Sequence, residues 1–240
     1  MAKKYITNKD QSLRIFRTDF FERLSYVHPA VPHALYVPLI GAMIYVSWSS
    51  GVSAGRIAGM FAVGALLWTL AEYLVHRYIF HAGDDMEEDV REIVSGLEPG
   101  EPAFPAMRDW RMKFYFLAHG VHHDFPNDSR RLVMPPSVSI PLAVVFYILF
   151  WFLFGAGDGA AAFAGFVAGY LAYDTIHFAV HHFSLHSRVM LYLKKKHFRH
   201  HYQDSTNDFG VSSPVWDMIL GTMGYRGSAS RRASEQKKAA

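Results

Sequence analysis

Two long stretches of this chain are almost free of charge, 34–75 and 135–180. The first holds only Arg56 and Glu72, the second only Asp158 and Asp174. A water-soluble domain does not gather its apolar residues into such runs, because its helices and strands keep one polar face. A helix needs roughly 20 apolar residues to cross the hydrocarbon core of a bilayer. Four apolar spans fit inside the two stretches, at about 35–50, 52–75, 138–154 and 160–180. The second and fourth are long enough alone; the first and third need their flanks.

The spans pair. Ser49, Ser50 and Gly51 separate the first two, and GAGDGA at 155–160 separates the others. Two helical hairpins follow, with hairpins that dip without crossing as the alternative. Basic residues mark the cytosolic side of a membrane protein. Lys3, Lys4, Lys9, Arg14, Arg17 and Arg23 precede the first span. Arg77, Arg91, Arg108, Arg111, Lys113, Arg130 and Arg131 lie between the hairpins, and Lys194, Lys195, Lys196 and Arg199 follow them. The hairpin turns carry only Arg56. Both termini and the central segment are therefore expected in the cytosol. The fold class expected is an all-α integral membrane protein, four transmembrane helices as two hairpins under a cytosolic helical cap.

The remaining segments divide simply. Residues 1–33 form an N-terminal segment and 34–225 a single membrane domain. In 12–24, Leu13, Phe16, Phe20 and Leu24 recur at helical spacing among Arg14, Arg17 and Arg23. That pattern predicts an amphipathic helix, lying on an anionic membrane surface or packed on the protein. The acid-rich stretch at about 84–105 predicts a solvated insertion with a short helix. Residues 226–240, rich in Ser, Ala, Lys and Arg, predict a disordered basic tail. No short apolar core with a cleavage site follows the polar start, so no secretory signal is expected.

The 240 residues include no Cys and 14 His. The first count excludes disulfides, thiolate metal sites and a thiol nucleophile. A net charge of +3 gives no footing for a nucleic-acid partner. The histidines cluster as His76/His81, His119/His122/His123, His177/His181/His182 and His197/His200/His201. Spacings of three and four put side chains on one helix face, so the second and fourth clusters can each aim three imidazoles one way. His76 and His81 are about 140° apart on an ideal helix. They converge only if the helix ends or bends between them, unless two metals take one each. His182 points away from its neighbour, and His28, His33 and His186 stand alone.

All four clusters fall on the expected cytosolic side, at span ends or in cap segments, so they can meet. Imidazole is a ligand for Fe, Zn, Cu and Ni. So many imidazoles exceed one ion and suit two, with four to six ligands each. No HExxH, the zinc-hydrolase pairing of two His with a Glu base, is present.

The blocks EYLVHRYIFH (72–81), AHGVHHDFPNDSRRLVMPP (118–136), YDTIHFAVHH (173–182), KHFRHHYQD (196–204) and FGVSSPVWD (209–217) resemble the membrane fatty acid hydroxylase superfamily. Within it they are most similar to the sphingolipid fatty acid 2-hydroxylases. The resemblance implies metal ligation by His76, His81, His119, His122, His123, His177, His181, His197, His200 and His201. It implies O2-dependent hydroxylation at carbon 2 of the acyl chain of a fatty acid or (dihydro)ceramide. Two Fe ions are the implied cofactor, with Zn as a substitute in purified protein. The chain lacks the haem motif of the cytochrome b5 domain that some members carry. A separate cytochrome b5-like or ferredoxin-like electron donor is then required.

Glu72, Asp124, Asp174 and Asp204 stand beside ligands and are candidates for fixing imidazole tautomers. Tyr170, Tyr173, Trp110, Phe125 and Trp216 are candidates for a lipid entrance, and Arg130 or Arg131 for a head group. The localisation expected is a bacterial inner membrane or, in a eukaryote, the endoplasmic reticulum. The near alternative is a related oxygenase of sterol, carotenoid or fatty alcohol. The distant one is a metal-binding or transport protein, which would carry ionisable residues along its spans.

Overall fold

Residues 4–224 are described in the computed structural model, and every regular element among them is helical. The α-helices in chain order are α1 (Asp19–Leu24), α2 (Val31–Ser49), α3 (Ala54–Val75), α4 (Glu87–Ser95), α5 (Ala103–Ala106), α6 (Trp110–Tyr115), α7 (Val121–Asp124), α8 (Pro136–His182), α9 (Arg188–Tyr202) and α10 (Val215–Ile219). Wider π-helical turns prolong α3 over His76–Phe80 and α6 over Phe116–Gly120. The helices over Val31–Ser49, Ala54–Phe80 and Pro136–His182 are long and apolar enough to cross a membrane.

The third of these is two arms in one. Gly155 leaves helical geometry at φ 77°, ψ 177°, a conformation that a side chain would disfavour. Ring contacts across the break pair Phe146 with Phe166 at 4.6 Å and Phe150 with Phe163 at 6.3 Å. Numbers fall on one arm as they rise on the other, so the arms run antiparallel. The sequence put a six-residue turn here; the chain needs only Gly155, because the small residues behind it allow immediate contact. A Cβ at Gly159 would stand 2.6 Å from the Phe150 carbonyl oxygen.

The α3 helix packs on the second arm of α8 through small residues. A Cβ at Gly64 would meet the Ala162 carbonyl oxygen at 1.8 Å, and one at Gly165 the Phe61 carbonyl oxygen at 1.9 Å. Where lipid solvates apolar faces as well as protein does, such close backbone approach is what holds helices together. Around this seam Tyr36, Phe150, Phe163, Phe166 and Tyr170 form a buried aromatic core. Outward faces stay bare: Phe152 is 79% and Leu66 60% exposed. At the far end, Arg56 Nε and Nη2 reach both carboxylate oxygens of Asp158 at 2.5–2.9 Å, tying the α2–α3 hairpin to the α8 hairpin.

The cap is built from α4, α6, α7, α9 and the N-terminal segment. Its core gathers Ile15, Val90, Val94, Met107, Met112, Tyr115 and Phe116. Two expectations change here. The segment 12–24 is helical only over Asp19–Leu24. Glu22 is drawn inward by Arg131, whose Nη2 stands 2.6 Å from Oε1. The other Glu22 oxygen accepts the N–H groups of Ile15 and Phe16 at 2.9 and 2.8 Å. The carbonyls of Arg14 and Ile15 accept from Ala103 and Phe104. With its backbone groups so engaged, 12–17 does not wind into helix. Ile15 is buried with Leu13 and Phe16 against the cap, while Phe20, Phe21 and Leu24 remain exposed.

The acidic insertion is likewise only half solvated. The α4 helix buries Val90 and Val94 and keeps acids outward, and its Arg91 bridges Glu87 and Asp124. The tail at 226–240 lies outside the described residues.

Candidate metal centre

Ten buried imidazoles meet where the span helices enter the cap. They form two groups: His76, His81, His119, His123 and His200, and His122, His177, His181, His197 and His201. Within each, one nitrogen per residue lies within 4.8 Å of all the others. The groups adjoin, with the His123 and His201 rings 4.4 Å apart.

The helix geometry explains the membership. His119/His123, His177/His181 and His197/His201 are four apart, and each such pair stays in one group. His122 and His200, one position before the second member of a pair, cross to the other group. On a helix, positions three and four along diverge by about 100°, enough to serve two neighbouring ions. The expectation that the second and fourth clusters each aim three imidazoles one way is thus corrected: each cluster divides two to one. His76 and His81 do converge, because the helix widens between them. The His81 N–H bonds back to the His76 carbonyl at 3.3 Å, closing a π turn. Of the third cluster, His182 stays out of both groups and stacks on Phe178, and the lone His33 contacts Thr175.

The nitrogen spacing is that of ligands on a cation. In the second group His197 Nε2 lies 3.0, 2.9 and 3.0 Å from the Nε2 atoms of His177, His181 and His201. A ring nitrogen has one proton or one lone pair and cannot satisfy three such neighbours. Two ligands bound at right angles at about 2.1 Å stand about 3.0 Å apart, which is the spacing seen. The first group repeats it, with His119 Nε2 3.0 Å from His76 and 2.9 Å from His123. His81 and His200 likewise stand 3.0 Å apart. Burial first, and repulsion between neighbouring imidazoles second, hold the cap imidazoles His119, His122, His123, His197 and His201 well below the ordinary histidine pKa. Burial does the same for His200, with His81 adding to it. Neutral imidazole is the form that binds metal. The donor set therefore fits a pair of ions.

Three imidazoles of the first group are oriented through Nδ1. His76 donates to the Phe209 carbonyl at 2.5 Å, His200 to the Asn207 carbonyl at 2.7 Å, and His81 to Asp84 at 2.9 Å. Each bond leaves Nε2 as the free donor atom for metal.

The four acids singled out from sequence stand apart from these bonds. Glu72 accepts from the N–H groups of Val211 and Ser212. Asp124 pairs with Arg91 at 2.7 Å, and burial pushes its pKa up to about 6 against that pairing. Asp204 accepts from Asn207 at 2.6 Å, one residue removed from the His200 contact. Asp174 is buried near Tyr170, one turn before His177. Asp84 was not anticipated, although its three-residue spacing from His81 was a signal. The two backbone carbonyls left no trace in side-chain identity. Of the entrance candidates, Tyr170 and Phe125 are buried and Trp110 is 73% exposed. Trp216 Nε1 donates to Thr69. Arg131 is occupied by Glu22 and Asp128, while Arg130 stacks over Tyr26.

The family model for fatty acid hydroxylase matches residues 61–222, which contain all ten imidazoles. The chain belongs to the fatty acid hydroxylase family. It is 30% identical over 211 residues to a dihydroceramide fatty acyl 2-hydroxylase of Arabidopsis thaliana, covering 88% of this chain and 79% of that one. It is 35% identical to the ceramide very long chain fatty acid hydroxylase of Saccharomyces cerevisiae, over 82% of this chain and 48% of the relative. For fatty acid 2-hydroxylase of Homo sapiens the identity is 30%, over 88% and 56%. The chain thus spans about half the length of the yeast and human relatives. A solved structure of full-length scs7p, in which only the hydroxylase domain is visible, superposes with a TM-score of 0.71 at 33% identity, covering 85% of this chain and 70% of that one.

Proposed function

We propose that this hydroxylase-family chain oxidises carbon 2 of the acyl chain of a fatty acid or (dihydro)ceramide, using O2 and a pair of iron ions held by the ten histidines. The observation that carries this reading is the paired five-imidazole geometry, in a chain whose relatives bear 2-hydroxylase names. The C–H bond beside an acyl carbonyl is inert to acid–base chemistry at neutral pH. Iron supplies the redox chemistry that its cleavage needs, one oxygen atom entering carbon 2 and the other leaving as water, with two electrons and two protons consumed. Zinc has no redox chemistry, so zinc in purified protein is a substitute. The electrons come from a separate protein of cytochrome b5 or ferredoxin type.

The chain's own residues supply position and shelter. Phe209, Asn207 and Asp84 hold three imidazoles in one tautomer. The cap core under Ile15, Val90 and Phe116 excludes water above the site. Below it, the buried polar atoms of Tyr36 and Ser139, and of Tyr170 and Asp174, face one another in pairs without full hydrogen-bond geometry. Buried groups of this kind are costly without a partner. An amide or hydroxyl of a lipid head would partner them one turn from His177, leaving the acyl chain in the bilayer. Tyr170 and Tyr173 then line the approach.

In this reading the four apolar arms cross as two hairpins. The excess of Lys and Arg at the metal-bearing end supports a cytosolic position for that end and both termini. The membrane is a bacterial inner membrane or the endoplasmic reticulum. Residues 34–225 act as one catalytic domain and 1–33 as its N-terminal segment, whose described part, 4–33, packs on the cap.

The test is mass spectrometry of acyl chains from a ceramide-making host lacking its own 2-hydroxylase. Wild type should add one oxygen at carbon 2, and His122→Ala should not. Absence of that product from wild type, with expression and electron supply confirmed, would refute the substrate assignment.

A further inference from the structure

The loop 207–212 supplies both carbonyls that orient imidazoles of the first group, yet it belongs to no helix. Four consecutive N–H groups in it end on two buried carboxylates. Asp217 accepts from Phe209 at 2.9 Å on Oδ1 and from Gly210 at 2.9 Å on Oδ2. Glu72 accepts from Val211 at 2.6 Å and Ser212 at 2.7 Å on Oε1, and from the Ser212 hydroxyl on Oε2. Asp217 is fully buried, and its charge is met by Lys196, also buried, whose Nζ lies 2.5 Å from Oδ2. The same ammonium donates to the Gly210 carbonyl at 2.7 Å, and the Thr222 hydroxyl donates to Asp217 Oδ1 at 2.8 Å.

No second-group imidazole rests on this loop. In that group Nδ1 of His177, His181, His197 and His201 makes no hydrogen bond to the protein. The two halves of the centre are therefore supported differently: one by a clamped loop, the other by packing of the helices that carry it.

We propose that Asp217, with Lys196 and Glu72, is a positioning unit for one metal of the pair. It sets the Phe209 carbonyl directly, and the Asn207 carbonyl through Thr222, whose own carbonyl accepts the Asp208 N–H at 2.9 Å while its hydroxyl donates to Asp217. Through these it sets the His76 and His200 imidazoles, while the second group is independent of it. This rests on the two-metal reading above. Asp217→Asn would turn an amide N–H₂ toward donors that now find a carboxylate, so the loop would lift. Gly210→Ala would displace it without removing any polar group, since the new Cβ would stand 2.1 Å from the Ser213 carbonyl oxygen.

The experiment counts metal ions per chain in the purified full-length protein and follows their release to a chelator, for wild type and both variants. Wild type should hold two. In each variant one ion should leave faster by about tenfold or more, the range seen when groups behind a ligand are removed, and the other at the wild-type rate. His76→Ala and His201→Ala, each combined with Asp217→Asn, identify the ion. The substitution should not alter release of the tightly held ion in His76→Ala, and should speed release of the tightly held ion in His201→Ala. Two ions released at wild-type rates from both variants, or both accelerated equally, would overturn the proposal. Fewer than two ions in wild type would overturn the two-metal reading itself.

Discussion

His122 and His123 are neighbours in sequence but belong to different groups, whereas His119 and His123 share one. Two double substitutions separate these facts. A four-ligand structural zinc site binds with about 10–16 kcal/mol, or roughly 3 kcal/mol per ligand. In a five-imidazole group, one loss should cost roughly 2–3 kcal/mol, which is about 30- to 150-fold in affinity. His119→Ala with His123→Ala removes two ligands from one ion. Its affinity should fall by about 10³- to 10⁴-fold, with the second ion unchanged. His122→Ala with His123→Ala removes one ligand from each, so both affinities should fall by about 30- to 150-fold. Equilibrium dialysis against metal buffers, read as ions per chain, resolves one large step from two modest ones. The same binding curve for both double variants would refute the crossed assignment.

Acid should weaken the cap. Six cap ligands sit below their unfolded pKa of about 6.5, so the folded state binds fewer protons than the unfolded one. Their contribution is full above pH 6.5 and is lost as pH falls below it, by roughly 1.4 kcal/mol per pH unit for each histidine involved. Melting of metal-depleted protein from pH 8 to 5 measures this, and a flat profile would contradict it. In the membrane seam, Gly165→Leu should separate α3 from α8, since even a Cβ would lie 1.9 Å from the Phe61 carbonyl oxygen. Detergent-extracted variant should aggregate or melt well below wild type, and an unchanged melting temperature would show that the seam yields.

The set of ten histidines came with the family resemblance; the helical class, the long apolar stretches and the four histidine clusters were legible along the chain itself. Each depends on local composition or on helix periodicity, which nearest neighbours dictate. The ligand residues carry rare chemistry at spacings of three, four and five, so their pattern stands out without a structure. The N-terminal segment shows the limit of that logic. Its apolar spacing is helical, but Glu22 finds Arg131, 109 positions away, and the bonds it makes keep 12–17 out of helix. Likewise α4 reads as acidic and solvated until Val90 meets the cap core.

Which group each histidine joins was also decided only in three dimensions. A cluster such as His119, His122 and His123 spans about 100° of helix surface, and only the arrival of α9 and the end of α8 divides it. The π turn that brings His81 under His76 has no mark in side-chain pattern. The carbonyls of Phe209 and Asn207 have none either, because every residue has a carbonyl. Their aim is set by Asp217, Lys196 and Glu72; of these the sequence marks only Glu72, while Asp217 and Lys196 look like ordinary charge. Periodicity is a property of one helix and can be read from it; shared ligands and backbone acceptors are relations between distant segments, and they exist only once those segments are packed.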